Sequence, residues 1–218
     1  MKNVNFFSVW LLLTLGIAIL MLNSCKKNDP SSNDSATSDK GAVINGVRWA
    51  TCNVDKPGAF VTHPEDIGMF YQWDVKIGWS ATDPMENTIG GTAWSINYST
   101  NVQWEIANDP CPSGWRVPTS AEIQTLLDVN KVNGTQTTVN GVGGMKFTDI
   151  ASGNSIFLPA VGCRIYNGSL SIDADGHYWS STQSSSSSNA SSLYLYSGGA
   201  ILSSTYRSAG LSIRPVAE

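Results

Sequence analysis

Residues 178–218 read YWSSTQSSSSSNASSLYLYSGGAILSSTYRSAGLSIRPVAE, and the alternation inside this stretch decides the fold class. Along Ser192-Leu193-Tyr194-Leu195-Tyr196 the period is two. A strand therefore places both leucines on one side and Ser192, Tyr194 and Tyr196 on the other. Trp179, Leu193, Leu195, Ile201, Leu211 and Ile213 are the apolar members a sheet would bury, and Gly198-Gly199 supplies a turn. Nearly everything between them is Ser, Tyr, Thr, Asn or Gly. Tyrosine mixed with serine and glycine is the composition of antibody paratopes, where rigid aromatic area meets adaptable small polar groups. The expectation is a recognition face whose ligand-binding residues are Gln183, Ser184, Ser186, Ser188, Asn189, Ser192, Tyr194, Tyr196, Ser203, Thr205, Tyr206 and Ser208. The competing reading of the serine run is a low-complexity loop without a role.

Working back along the chain, residues 42–50 carry Asn45-Gly46 between apolar flanks, the pair preferred in a two-residue hairpin turn. Residues 67–73 are apolar and aromatic enough for a buried strand or a short helix, and the pattern does not choose between them. Residues 74–109 show no sustained period. Trp79, Trp94 and Trp104 imply that this long insertion is nevertheless ordered, packed down by its aromatics. A stiff turn-rich segment, 109–119, leads to Thr119 with Glu122 three residues on. That spacing predicts a capping box and a short helix ending near Asn130, with Ile123, Leu126 and Leu127 as its buried stripe. Asn133-Gly134, Asn140-Gly141 and Gly143-Gly144 are expected to punctuate short strands. Residues 155–165 predict a core strand interrupted by Pro159, hence bulged or at an edge. Asn167-Gly168 and Asp175-Gly176 mark two more turns. One helix among many short strands gives an α+β, strand-dominated fold.

The chain of 218 residues has room for one domain plus extra segments. A formal charge of -4 with no basic stripe gives no electrostatic footprint for nucleic acid. At the N-terminus Lys2 precedes an apolar stretch, 6–22, and then Leu22-Asn23-Ser24-Cys25. A small residue directly before Cys after an apolar run resembles the lipobox of bacterial lipoproteins. Residues 1–24 then form a signal peptide, Cys25 is lipidated, and residues 25–40 are a flexible polar tether to a domain spanning 41–218. A transmembrane anchor and ordinary signal cleavage are the alternatives.

Asp109-Pro110-Cys111-Pro112-Ser113-Gly114-Trp115-Arg116-Val117-Pro118-Thr119, Phe157-Leu158-Pro159-Ala160, Tyr178-Trp179-Ser180-Ser181-Thr182 and Gly210-Leu211-Ser212-Ile213-Arg214-Pro215-Val216 together resemble a known family. It is the Fibrobacter succinogenes major paralogous domain of Bacteroidetes lipoproteins, related to the C-terminal domain of the Legionella collagen-like adhesin. The resemblance runs from Val43 to Val216. It implies a C-type-lectin-like fold, with long loops above a small antiparallel sheet, on a lipoprotein of the outer membrane. The periplasmic and the outer face both remain open. The same fold hosts targets of diversity-generating retroelements, whose adenine-directed mutagenesis would produce such Ser, Tyr, Thr and Asn positions near the C-terminus. Calcium-dependent lectins of this fold carry Glu-Pro-Asn or Gln-Pro-Asp and Trp-Asn-Asp. This chain has Trp179-Ser180-Ser181 instead, which argues against calcium-mediated glycan binding.

Of the other cysteines, Cys52 and Cys111 sit in turn-rich segments at either end of the insertion and are expected to pair. Cys163 lies in an apolar run and reads as a buried thiol. Asp173-Ala174-Asp175-Gly176-His177 begins like a calcium loop but lacks the later acidic ligands, so a turn is favoured. His63 and His177 sit in no metal or triad motif. No cofactor and no catalytic residue are therefore expected. An enzymatic reading would rest on Cys163, which no motif surrounds. The reading is a non-enzymatic envelope protein binding an unidentified protein or glycan. The alternative is a structural or assembly component of the cell surface.

Overall fold

The computed structural model describes residues 39–172 and 174–218. The leader, Cys25 and the tether up to residue 38 lie outside the described residues, as does Asp173. Asn45 and Gly46, with φ of 45° and 82°, make the turn between Ala42–Ile44 (β1) and Val47–Trp49 (β2). Both residues occupy the left-handed region that this tight hairpin requires. Phe70–Gln72 (β3) and Gly78–Trp79 (β4) follow, and the undecided 67–73 segment thus contains a short buried strand and no helix. After a 3-10 turn at Ile106–Asn108 come Trp115–Arg116 (β5) and a helix, Ser120–Leu126 (α1). Val132–Val139 (β6), Val142–Asp149 (β7) and Ser155–Pro159 (β8) form an antiparallel meander. Cys163–Arg164 (β9) and Leu170–Ser171 (β10) make a small hairpin. The C-terminal stretch supplies Gly176–Gln183 (β11), Asn189–Tyr196 (β12), Gly199–Tyr206 (β13), Gly210–Leu211 (β14) and Val216–Ala217 (β15). The molecule is a strand-rich α+β fold, as the sequence predicts.

Four sheets result, in the orders β1-β2-β15-β5, β10-β9-β14-β3-β4, β11-β12-β13 and β6-β7-β8. In the first, the last strand slots between the N-terminal hairpin and β5, with Val216 opposite both Trp49 and Arg116. The β11-β12-β13 sheet is the wall between two cores. On one side Tyr178, Leu193 and Leu195 pack with Ile123 and Leu126 of α1 and with Met145, Phe147, Ile156 and Leu158. On the other, Trp179 and Ala190 pack with Tyr71, Trp73, Trp104, Leu211 and Ile213. Neighbouring residues Tyr178 and Trp179 therefore serve opposite cores, which is the period-two geometry of a strand put to use.

The structure corrects several local expectations. Asn133-Gly134 and Gly143-Gly144 do not turn the chain but lie inside β6 and β7, and only Asn140-Gly141, with φ of 48° and 88°, turns. Gly144 is required by crowding: a Cβ there would stand 2.3 Å from the Leu158 carbonyl oxygen. The β12–β13 turn is Ser197-Gly198, one residue earlier than expected, and Gly199 already pairs with Tyr196. Ile201 is 45% exposed rather than buried, because it sits opposite Tyr194, on the face away from the leucines. Asp39, assigned to the tether from the sequence, is bonded to the domain: its carboxylate accepts from Gly41 N, Thr51 N and the Thr51 hydroxyl. Pro159 ends β8, an edge strand, as expected.

Long loops leave backbone carbonyls without strand partners, and buried arginines satisfy them. Arg214, 1% exposed, donates to Asn53 Oδ1, to the Ala50 and Thr51 carbonyls and to Pro64 O. Burial lowers its pKa to about 10. Arg164, equally buried, donates to the carbonyls of Ser80, Thr82 and Gly168 and pairs with Asp83 at 3.1 Å.

The capping box forms as expected. Glu122 N donates to Thr119 Oγ1 at 3.2 Å, and Thr119 N donates to Glu122 Oε2 at 2.7 Å. Arg116 grips the same carboxylate with both terminal nitrogens, at 2.9 and 2.6 Å. The helix stops at Leu126, short of Asn130. Burial works to raise the Glu122 pKa, but the bonds from Arg116 and Thr119 outweigh it and hold the group below its ordinary 4.5. A depressed folded-state pKa contributes stability above the ordinary value and loses it as pH falls through the lowered one. Glu122→Gln is therefore expected to flatten the acid limb of the stability-versus-pH curve below about pH 4.5, measured by urea unfolding at a series of pH values.

Candidate ligand-binding surface

The candidate residues fall at the two ends of the β11-β12-β13 sheet rather than on one platform. At the β12–β13 turn, His177, Tyr194 and Tyr196 stack. Ring centroids are 4.8 Å apart for the first pair and 5.5 Å for the second, with planes within 22°. The Tyr194 hydroxyl donates to Asp175 Oδ2 at 2.6 Å. A Cβ on Gly198 would lie 2.4 Å from Tyr196 Cε2, so the turn backbone packs against that ring. Tyr194 stacks with both His177 across the ladder and Tyr196 along its own strand, an aromatic row that stiffens the sheet.

The opposite end gathers the serine run. Ser204 Oγ donates to Ser184 Oγ at 2.8 Å, Ser186 and Ser188 hydroxyls meet at 3.0 Å, and Ser188 Oγ donates to Asn189 Oδ1 at 3.0 Å. Asn189 Nδ2 reaches Ser204 Oγ at 3.3 Å, and Ser184 N donates to Asn189 O at 3.2 Å. Short hydroxyl side chains thus close the β11–β12 connection on itself, making an ordered loop. Ser192 and Ser208 do not belong to an exposed face. Ser192 is fully buried opposite Trp179, with its hydroxyl 2.8 Å from Thr205 Oγ1. Ser208 is 7% exposed, and its carbonyl accepts from Gln72 Nε2 and Trp94 Nε1. Ser203 and Thr205 are half-buried, on the same side of β13 as Ile201.

Arg207 and Asp74 tie the long insertion to this end. Arg207, 1% exposed, lies 4.2 Å from the Trp73 ring and donates to the Ser99, Asn101 and Asn189 carbonyls and to Gln183 Oε1. Asp74, in a left-handed conformation with φ 60°, accepts from Ser99 Oγ, Asn101 Nδ2, Glu105 N and Asn108 Nδ2. Trp94 packs 4.9 Å from Trp79 and donates to Tyr166 O. Gly168 is glycine because a Cβ would press to 2.6 Å from Trp94 Cγ, at a φ of +88°. The insertion is ordered by its tryptophans, as expected, and also by these two charged residues, which the sequence pattern did not reveal.

Three phenols face outward here, beside the aliphatic Ile96. Tyr206 is 57% exposed, Tyr166 53% and Tyr98 41%, and the Tyr206 and Tyr166 rings meet edge to face at 6.1 Å. Residues 94–101, 165–168, 183–189 and 203–206 thus converge around the Arg207 anchor. Tyr98 and Tyr166 were not among the sequence candidates. The Asn167-Gly168 turn beside Tyr166 was the one signal pointing there.

The expected Cys52–Cys111 bridge does not form. Cys111 is a free thiol whose backbone N–H is taken by Asp109 Oδ1 at 2.8 Å, and whose pKa burial pushes up. Cys52 is fully buried, with its sulfur 3.8 Å from Thr51 Oγ1. Cys163 is buried, at 8% exposure. Among the described residues no three His, Cys, Asp or Glu side chains converge as a metal site would require. No family model, no curated protein and no solved structure matches the chain.

Arg207→Met keeps the apolar stem and removes the bonds that hold residues 99–101. Loss of charged bonds to buried carbonyls is expected to cost about 3 kcal/mol. Hydrogen exchange should accelerate in residues 94–108 and 183–189 while β6-β7-β8 keeps its protection; uniform protection in the variant would show that the insertion holds itself.

Proposed function

We propose that the chain is a lipid-anchored cell-envelope protein of the major paralogous domain family, whose C-type-lectin-like domain binds a macromolecular ligand, protein or glycan. The pairing of β15 with β2 and the long ordered loops on one end of a small antiparallel sheet support the lectin-like reading. One observation carries the binding reading. Three exposed tyrosines and a hydroxyl-rich loop sit on backbone held rigid by buried Arg207 and Asp74. Rigid phenols lose little conformational freedom on binding, and preorganised loops lower the ordering cost further. The face is Gln183, Ser184, Ser186, Ser188, Asn189 and Tyr206, extended by Tyr98 and Tyr166. The exposed members of this set are also where retroelement-driven diversification would change the ligand without disturbing the anchors beneath.

The test displays the full chain on cells and measures retention on a polysaccharide array and on immobilised envelope proteins. Tyr98→Ala, Tyr166→Ala and Tyr206→Ala combined should lower retention at least about tenfold. The Tyr194→Ala, Tyr196→Ala pair should lower stability more than binding. Retention lost with the ladder pair and kept with the other three would move the site to the opposite end; a wild-type chain that binds nothing on either surface would remove the binding function. Separately, Cys25→Ala is expected to shift the protein from the detergent phase to the aqueous phase. A variant that stays with the membrane overturns the lipid anchor.

A further inference from the structure

β13 pairs with β12 over its whole length, Gly199 to Tyr206, without a register break, and among the described residues no further strand pairs with its other side. The hydrogen-bond parity of that ladder follows from its two ends. The two-residue turn makes Tyr196 and Gly199 a bonded pair, and Arg207 N donates to Ser188 O at 2.9 Å. Bonded positions on β13 are therefore 199, 201, 203 and 205. Ala200, Leu202, Ser204 and Tyr206 turn their N–H and C=O groups to the outer edge. Of these groups the Tyr206 carbonyl already accepts from Ala209 N.

Exposed edges are ordinarily blunted by lysine, proline, a bulge or a covering segment. β13 has none of the first three: its residues are Gly, Ala, Ile, Leu, Ser, Ser, Thr and Tyr. It also exposes Ile201 at 45% and Leu202 at 37%. The other long edge, β6, carries no large exposed apolar side chain, so β13 is where strand addition would bury most.

The sequence of β13 suits its own copy. An antiparallel two-fold pairing that engages all four edge-facing residues sets Ala200 against Tyr206 and Leu202 against Ser204, small opposite large in each case. Ser203 then faces itself on the axis. No charge opposes another, and no charge on the strand selects a foreign partner. We propose that two copies of this chain associate through β13, joining two three-stranded sheets into one continuous six-stranded sheet by an isologous contact. The contact does not rest on the ligand-binding reading and leaves the two serine loops on opposite flanks of the pair.

The test uses the full chain in detergent, by analytical ultracentrifugation and by cross-linking. On the two-fold axis, opposed residues of a non-bonded pair lie about 4.5 Å apart at Cα, within disulfide reach. Ser203→Cys, oxidised with copper phenanthroline, should give a covalent dimer; the wild type and the turn variant Ser197→Cys should not. Adding Ser204→Pro removes an outward N–H while leaving the backbone bonds to β12 intact, and should abolish both the cross-link and the dimer. Leu202→Lys, which sets a lysine on the edge, should do the same and carries the test if the proline variant fails to fold. A wild-type chain that sediments as a monomer throughout the micromolar range overturns the proposal. So does a dimer that survives both edge variants.

Discussion

Buried guanidinium groups bonded to loop carbonyls are the interaction on which this structure depends. Much of the chain between β2 and α1 belongs to no ladder, and each carbonyl that folding buries there needs a donor. One arginine offers five N–H groups in a fixed fork, so a single side chain can serve several carbonyls at once. Arg214 fastens the segment after β2, Arg164 the loop at 80–83, and Arg207 the segment at 99–101. Each sits on or beside a short C-terminal or central strand, so the sheets hold the arginines and the arginines hold the loops. A guanidinium stays charged at any physiological pH, and this scaffold should accordingly be insensitive to acid at those joints.

That arrangement explains how a surface poor in charge can be rigid. The β11-β12-β13 sheet has apolar packing on both faces over part of its length, with Tyr178 in one core and Trp179 in the other. Tryptophan indoles lock it further, since Trp179 Nε1 donates to Tyr71 O at 2.6 Å and Trp73 Nε1 to Ser180 O at 2.9 Å. Hydroxyl side chains then occupy the ends, where they bond to one another.

Local features were legible in the sequence. The Asn45-Gly46 turn, the Thr119–Glu122 capping box and the alternation of Leu193 and Leu195 each depend on residues within a few positions of one another. Features that depend on distant partners were not. Arg214 meets Ala50 across 164 positions and Arg164 meets Ser80 across 84, and no local period announces such bonds. Gly143-Gly144 misled because glycine marks tight approach as well as turns, and only the position of Leu158 shows which applies. Tyr194 and Tyr196 face outward as the period requires, yet their rings are stacked on each other and on His177. Periodicity reports a direction, not what stands beside a ring.

The strand that completes the first sheet is also the last one in sequence. Val216 enters between Trp49 and Arg116, which were synthesised long before it. During synthesis the N-terminal hairpin must wait, half of its pairing edge vacant, until the final strand has been made. Chaperones would meet an open intermediate for most of that interval. Any nick or stop codon just upstream of Arg214 would leave it open for good, a built-in check that only chains carried through to Val216 become durable folded protein.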